Sequence, residues 1–335
     1  MMYPKIRFEK ETGNSKNRNR KYTVRLIKGD MKMKGFIGLT KRNIQIYFKD
    51  IHSVIFSLLT SIIVFVLYLL FLKGTFVNAI EGSMQGLEAF INAEDIKMFV
   101  NGVLLVGILG SATITIPYNC LTTIVKDRER KVDYDILATP VKRWQIILSY
   151  LLAAIISSFL MTSLLLTTGL VILAFLGNMH LSILSIIGAY GVILLGCMSS
   201  SALFMTIVLF FKSSSAAGAF FGILSAAAGF VIGAYIPISQ FSSKIQTVCN
   251  LLPASQICAL LRNMLLNGCL NEMNNSIGDL DNGAFAEAIR QSMTFNASVF
   301  EKSLPVNVMC IYIAGFTFVS LLVMIFFYTK VYKKN

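Results

Sequence analysis

Six stretches of this chain, residues 53–72, 98–119, 146–176, 182–211, 214–238 and 306–329, contain not one Asp, Glu, Lys or Arg. Each reaches the ~20 residues that a helix needs to cross a hydrocarbon layer of ~30 Å. The runs are continuous rather than alternating, and too long for strands, so a β-barrel reading fails. Only 14% of the chain is charged against 55% hydrophobic, whereas soluble domains carry roughly 25% charged residues. A water-soluble globule is thereby excluded. Disorder is excluded for the opposite reason, since it requires low hydrophobicity. The fold class expected is an all-α integral membrane protein with six transmembrane helices.

The charges that remain are unevenly placed. Residues 1–35 form a polar, basic tail. Over 36–52, Ile37, Ile44, Phe48 and Ile51 recur at helical spacing among Lys41, Arg42, Gln45 and Lys49, which predicts an amphipathic helix in the membrane interface. Twenty-four of the Lys and Arg fall on the side of both termini and six on the other. The positive-inside rule then puts both termini in the cytoplasm, as an even number of spans also requires them to share one side. Orientation accounts for the surplus of +13, so membrane lipid is an expected partner and nucleic acid is not. Residues 177–180 join the third and fourth spans as an antiparallel hairpin. Two long segments face outward: 73–97, mildly acidic through Glu81, Glu88, Glu94 and Asp95, and 239–305. Within the second, 251–266 is apolar but interrupted by Pro253 and Arg262, which predicts a re-entrant or interfacial helical element after the fifth span. Residues 267–302 read as a loop with one short amphipathic helix around 284–300.

Several chemistries are missing. Spans without an ionisable group lack the feature that ion-coupled carriers commonly use. The six cysteines form no CxxC pair, and the two histidines, His52 and His180, lie at opposite membrane faces. No metal cluster and no hydrolase base can be drawn from them. Cys249, Cys258 and Cys269 share the 239–305 segment, which leaves room for one disulfide without specifying it. The chain also lacks the G-x-x-x-x-G-K-[ST] phosphate cradle. No enzyme is expected, and no catalytic, cofactor-binding or metal-binding residue. ATP, if it drives this chain, must be bound by another polypeptide.

Two patterns could carry an interaction. Asp127, Arg128, Glu129, Arg130 and Lys131, followed by Asp133 and Asp135, form a mixed-sign cluster after the second span. Leu137, Ala138, Thr139, Pro140 and Val141 come next, then Lys142, Arg143 and Trp144 entering the third span. Thr139 as a cap and Pro140 in a first turn predict a helix start there. Acids contribute little to orientation, so the alternating charges read as a protein-docking element or as an ordinary solvated loop. In the fifth span, Gly218, Gly222, Ser225, Gly229 and Gly233 share one helical face. Such a face lets a helix approach closely, and spacing alone does not say whether that helix is a second subunit's or the chain's own.

In order, these features are the basic interfacial helix, the six spans, and Asp127-Arg128-Glu129 ahead of Leu137-Ala138-Thr139-Pro140-Val141. Gly233-Ala234-Tyr235-Ile236-Pro237 then precedes Phe241, Ile245, Val248 and Leu252-Pro253-Ala254-Ser255. Together, over roughly 33–335, they resemble the type-2 ATP-binding-cassette export permeases. The resemblance implies a bacterial permease subunit moving a hydrophobic or amphiphilic substrate (drug, antibiotic peptide, lipid or polysaccharide). It implies a homodimer or heterodimer of permeases with separate ATPase subunits docked on the cytoplasmic face, ATP being bound there. Coupling would fall to Asp127, Arg128, Glu129, Arg130, Lys131, Leu137, Thr139 and Pro140. The first and fifth spans would meet at the dimer axis, with Gly218, Gly222, Gly229 and Gly233 in the packing, and Pro237, Phe241, Pro253 and Ser255 would belong to the outer gate. Lys131 followed by Val132 replaces the small residue usual after the Glu. The alternative from another class is a non-transporting membrane sensor or assembly protein whose external loops bind a ligand.

Overall fold

The computed structural model describes residues 16–84 and 91–331; the first fifteen residues of the basic tail and Glu88 lie outside them. In chain order the elements are α1 (Lys16–Lys49), α2 (Ile51–Leu67) with a π-helical turn (Tyr68–Leu72), α3 (Lys73–Met84), α4 (Ala93–Glu129) and α5 (Val132–Leu137). Then come α6 (Arg143–Leu176), α7 (Ile183–Val208), α8 (Ser214–Val231), α9 (Ser243–Leu251), α10 (Pro253–Leu265), α11 (Asn267–Ile277) and α12 (Ala284–Ser292). A small antiparallel pair, β1 (Ala297–Val299) and β2 (Lys302–Leu304), leads into α13 (Val306–Val331). Among the described residues six helices are long and apolar enough to cross a membrane: α2 with its π turn, α4, α6, α7, α8 and α13.

Burial sorts these spans. In its most apolar window α4 is 83% buried, whereas α6 is 17% buried, so α4 is the central post and α6 presents most of its surface to the surroundings. Close approach to α4 depends on missing side chains: a Cβ at Gly110 would collide with Cys258 Sγ of α10, and one at Gly107 would lie 3.2 Å from Ala234 Cβ. Hydroxyls then tie the spans where no water competes. Thr115 Oγ1 donates to Ser57 O at 2.8 Å, Ser61 and Ser111 share a bond at 3.0 Å, and Tyr118 OH donates to Ala217 O at 2.7 Å.

Several boundaries differ from the sequence expectation, each for a local reason. Helix α1 begins at Lys16, well inside the basic tail, and Ile51 and His52 already belong to α2, because Asp50 breaks the chain and accepts from Ser53 N at 3.2 Å. Its inward stripe is Thr40, Asn43 and Tyr47, while Ile37 and Phe48 stay exposed. Nothing between Asn119 and Glu129 stops α4, so Asp127, Arg128 and Glu129 sit on a helix and not in a loop. No helix starts at Thr139 and Pro140; the Thr139 hydroxyl donates back to Ile136 O at 2.6 Å, closing α5. Instead α6 starts at Arg143, where Gln145 Oε1 accepts from Lys142 N at 3.2 Å. Helix α8 ends at Val231, short of 238, because Gly233 turns left-handed at φ 69° and Ala234 N returns to Gly229 O at 2.8 Å. Helices α3 and α11 occupy stretches expected to be loop, and the helix expected around 284–300 stops at Ser292, ahead of the β pair. All six cysteines are free.

Candidate functional site: the two ends of the bundle

At the end of the bundle where α1 meets α2 and α4 meets α5, the charged cluster does not project as one surface. Four consecutive residues of α4 each reach a different neighbour. Lys126 Nζ donates to Asp50 Oδ2 at 2.7 Å and to Ser53 Oγ at 2.9 Å, holding the start of α2. The Asp127 carboxylate accepts both Arg42 nitrogens of α1, at 2.7 and 2.9 Å, and the Tyr150 hydroxyl of α6. Arg128 Nη1 donates to Leu209 O at 3.0 Å and Phe211 O at 3.2 Å, just beyond α7. Glu129 accepts from the Ser214 backbone N–H at 3.0 Å and from its hydroxyl, capping α8. An anion at the N-terminus of α8 is stabilised by the unpaired N–H groups and the helix dipole. The 209–214 joint thus rests on the last turn of α4.

Asp127 is buried and Glu129 is exposed. Beyond them Arg130, Lys131, Thr139 and Pro140 are exposed and Leu137 is half-buried. Lys131 takes φ 61°, a left-handed conformation that glycine adopts without strain, which is where the small residue of the resembling family would sit. Tyr134, on α5 between Lys131 and Leu137, is 66% exposed, and the sequence reading passed it over. An exposed aromatic between two aspartates on a six-residue helix is the signal that would have found it. Burial alone would raise the Asp50 carboxyl, but the hydrogen bonds from Lys126 and Ser53 outweigh it and hold it down to about 2.

The opposite end is built on Arg262. This guanidinium is 3% exposed. It donates to Ile232 O and Gly233 O at 3.2 Å each, beyond the last turn of α8, and to Thr294 O at 3.1 Å, ahead of β1. Around it, Asn250 Nδ2 donates to Ser298 O at 2.8 Å, the buried Ser255 hydroxyl donates to Asn250 Oδ1 at 2.5 Å, and Gln256 Nε2 donates to Asn250 O at 2.8 Å. Pro253 is buried as the first residue of α10, so the α9–α10 pair folds back at Leu252 and Pro253. That bend lies beside Ser199 and Ser200, about 24 Å along α7 from Ile183 at 1.5 Å per residue, so the element enters the bundle. Pro237 and Phe241 flank a short 3-10 turn and remain half-exposed. Cys269 Sγ of α11 donates to Asp95 O at 3.2 Å, and burial, with Asp95 and Glu272 nearby, pushes its thiol up to about 12.

The glycine face divides in two. Among the described residues, added Cβ atoms at Gly218 and Gly222 would meet nothing within 4 Å, so this half is open. Gly229 is covered by the Tyr235 ring and Gly233 by Ile238 and Arg262 of the same chain, while Ser225 bonds to Thr60 of α2. A family model described as "ABC-2 family transporter protein" matches residues 83–330, the larger part of the chain. No curated protein matches it.

Proposed function

The chain belongs to the ABC-2 transporter family and is thereby a transmembrane permease subunit; on that premise we propose that it works in an ATP-driven exporter of a bacterial cell membrane. Both termini would lie in the cytoplasm, with two permeases forming a dimer over ATPase subunits supplied in trans, and ATP bound only there. The cargo would be hydrophobic or amphiphilic, since charge-free spans offer a poor path to small ions.

One observation supports the coupling half of this reading: Lys126, Asp127, Arg128 and Glu129 join the last turn of α4 to α2, α1 with α6, the end of α7 and the start of α8. A force applied to Tyr134, Leu137, Thr139 and Pro140, directly after that turn, would reach five helices through charged hydrogen bonds rather than through one flexible loop. Alternating access then needs only that this bonded end has a second arrangement, with the partner's nucleotide state favouring one over the other. Gly218 and Gly222 would face the second permease, and Pro237, Phe241, Pro253 and Ser255 would lie along the exit. The deciding experiment is purification of the chain under mild conditions from its own cells, with identification of what travels with it. A P-loop ATPase whose hydrolysis responds to the permease is the expected companion; its reproducible absence, with transport unaffected by ATP depletion, would reject the exporter.

A further inference from the structure

A hollow of about 260 Å³ lies within one protomer between α4, α7, α8 and the Leu252–Pro253 bend. Its walls are nearly all apolar, with Leu203, Phe204, Phe220 and Leu224 prominent. The exception is one polar strip on α7: Ser199 and Ser200 both line the space and are both buried. Among the described residues the Ser199 hydroxyl has no hydrogen-bond partner, and a buried hydroxyl left unpaired is costly. The N-terminus of α10 also reaches this space, with Pro253 at its first position, Ala254 in the lining and no side-chain cap among the described residues. An apolar cavity of about 150 Å³ holds one benzene ring, so this one takes an alkyl chain segment or a small ring system. It is too small for a peptide or a polysaccharide.

We propose that this hollow binds one alkyl chain carrying a hydrogen-bonding head, the chain lying against Leu203, Phe220 and Leu224 and the head accepting from Ser199, Ser200 and the Ala254 N–H. The site deepens, and rests on, the amphiphilic cargo class proposed above. Ala227, the exposed lining residue on α8, marks the side from which a chain enters. Two sources share this chemistry: a resident bilayer lipid and a transported single-chain amphiphile.

The test photolabels the purified full-length chain with palmitic acid carrying a diazirine on its chain, then maps the adducts. Saturable labelling is expected on peptides containing Leu203 and Leu224, reduced at least tenfold in Ala227→Phe and in Leu224→Trp. Ile223→Phe, exposed and outside the lining, should label as wild type. Replacing Ser199 and Ser200 by Ala should weaken palmitate by about tenfold or more, the equivalent of at least one hydrogen bond to a charged group, and leave a diazirine-bearing hexadecane unaffected. A second arm uses phosphatidylglycerol with the diazirine on one acyl chain. Labelling by it alone identifies a resident lipid, and labelling by palmitate alone a single-chain cargo; both support the site. Non-saturating adducts spread over α6 and α13, unchanged in Ala227→Phe and Leu224→Trp preparations that elute as wild type, would overturn it. That failure leaves the exporter standing, because the companion ATPase is scored separately.

Discussion

Replacing Arg262 by Leu should destabilise the protein more than any other single change at the end of the bundle opposite α5. Three backbone carbonyls, Ile232 O, Gly233 O and Thr294 O, depend on this one guanidinium at 3.1–3.2 Å. Leaving three buried acceptors unpaired costs roughly 1–3 kcal/mol each, and the relief of not burying a cation offsets part of that. A net loss of about 3–5 kcal/mol follows, the range found when one partner of a buried charged interaction is deleted. Arg262→Lys keeps the charge but lacks the planar fork that reaches three acceptors, so it should fall between the two. A thiol-reactive fluorophore suits the assay, because all six cysteines are free and five are buried. Dye uptake on heating in detergent should begin several degrees lower in Arg262→Leu, and protease should cut sooner near Thr294. If Arg262→Leu melts at or above the wild-type temperature, with Arg262→Lys the weakest of the three, burying the cation is a net cost and the clamp argument is wrong.

Other consequences can be checked together. Among the described residues a Cβ at Gly222 would meet nothing within 4 Å, so Gly222→Leu should insert normally yet weaken dimerisation by roughly fivefold, a helix contact of about 1 kcal/mol, in analytical ultracentrifugation; Gly229→Leu must displace Tyr235 and should instead misfold. Tyr134→Ala and Arg130→Glu should abolish permease-stimulated ATPase activity while leaving the melting temperature unchanged, whereas Asp127→Asn should lower it; a Tyr134→Ala variant that still transports would remove α5 from the coupling path. Asp50 titrates at about 2 when folded against an ordinary ~3.9, so its contribution is complete above about pH 4 and is lost as pH falls towards 2. Thermal melts of wild type should drop over that window and those of Asp50→Asn should drop less. A single cysteine at Lys16 should escape a membrane-impermeant maleimide on intact cells, and one at the exposed Asn275 should react; the opposite pattern would invert the topology.

The spans were legible because a bilayer leaves little choice: backbone groups must be satisfied within the segment, so a long charge-free run becomes a helix. The same logic fails outside the hydrocarbon. Residues 73–84 and 267–277 are too polar for a hydropathy signal, yet both are helical, because packing on the span ends stabilises what composition alone does not. In the sequence Arg262 stands out as one of six cations away from the termini and, with Pro253, as a break in the apolar run 251–266. A lone arginine in an apolar run beside Pro253 was the available signal, but its acceptors lie about thirty residues away in either direction, and no spacing rule points there.

The charged cluster and the glycine face both show how identical-looking pattern members take different roles. In each, adjacent or evenly spaced residues share a chemistry in the sequence and are separated by where the helix stops. Helix α4 runs to Glu129, so Asp127 turns inward to Arg42 while Arg130, past the end, faces out. Helix α8 stops at Val231, so the chain turns back and places Tyr235 over Gly229, while Gly218 and Gly222, about three and two turns earlier, stay bare. Helix ends are the least determined quantity in a sequence, since here they depend on Lys131 and Gly233 adopting positive φ. Those two turns therefore decide which surfaces remain for partners: α5 with Tyr134 at one end, and the N-terminal half of α8 along its side.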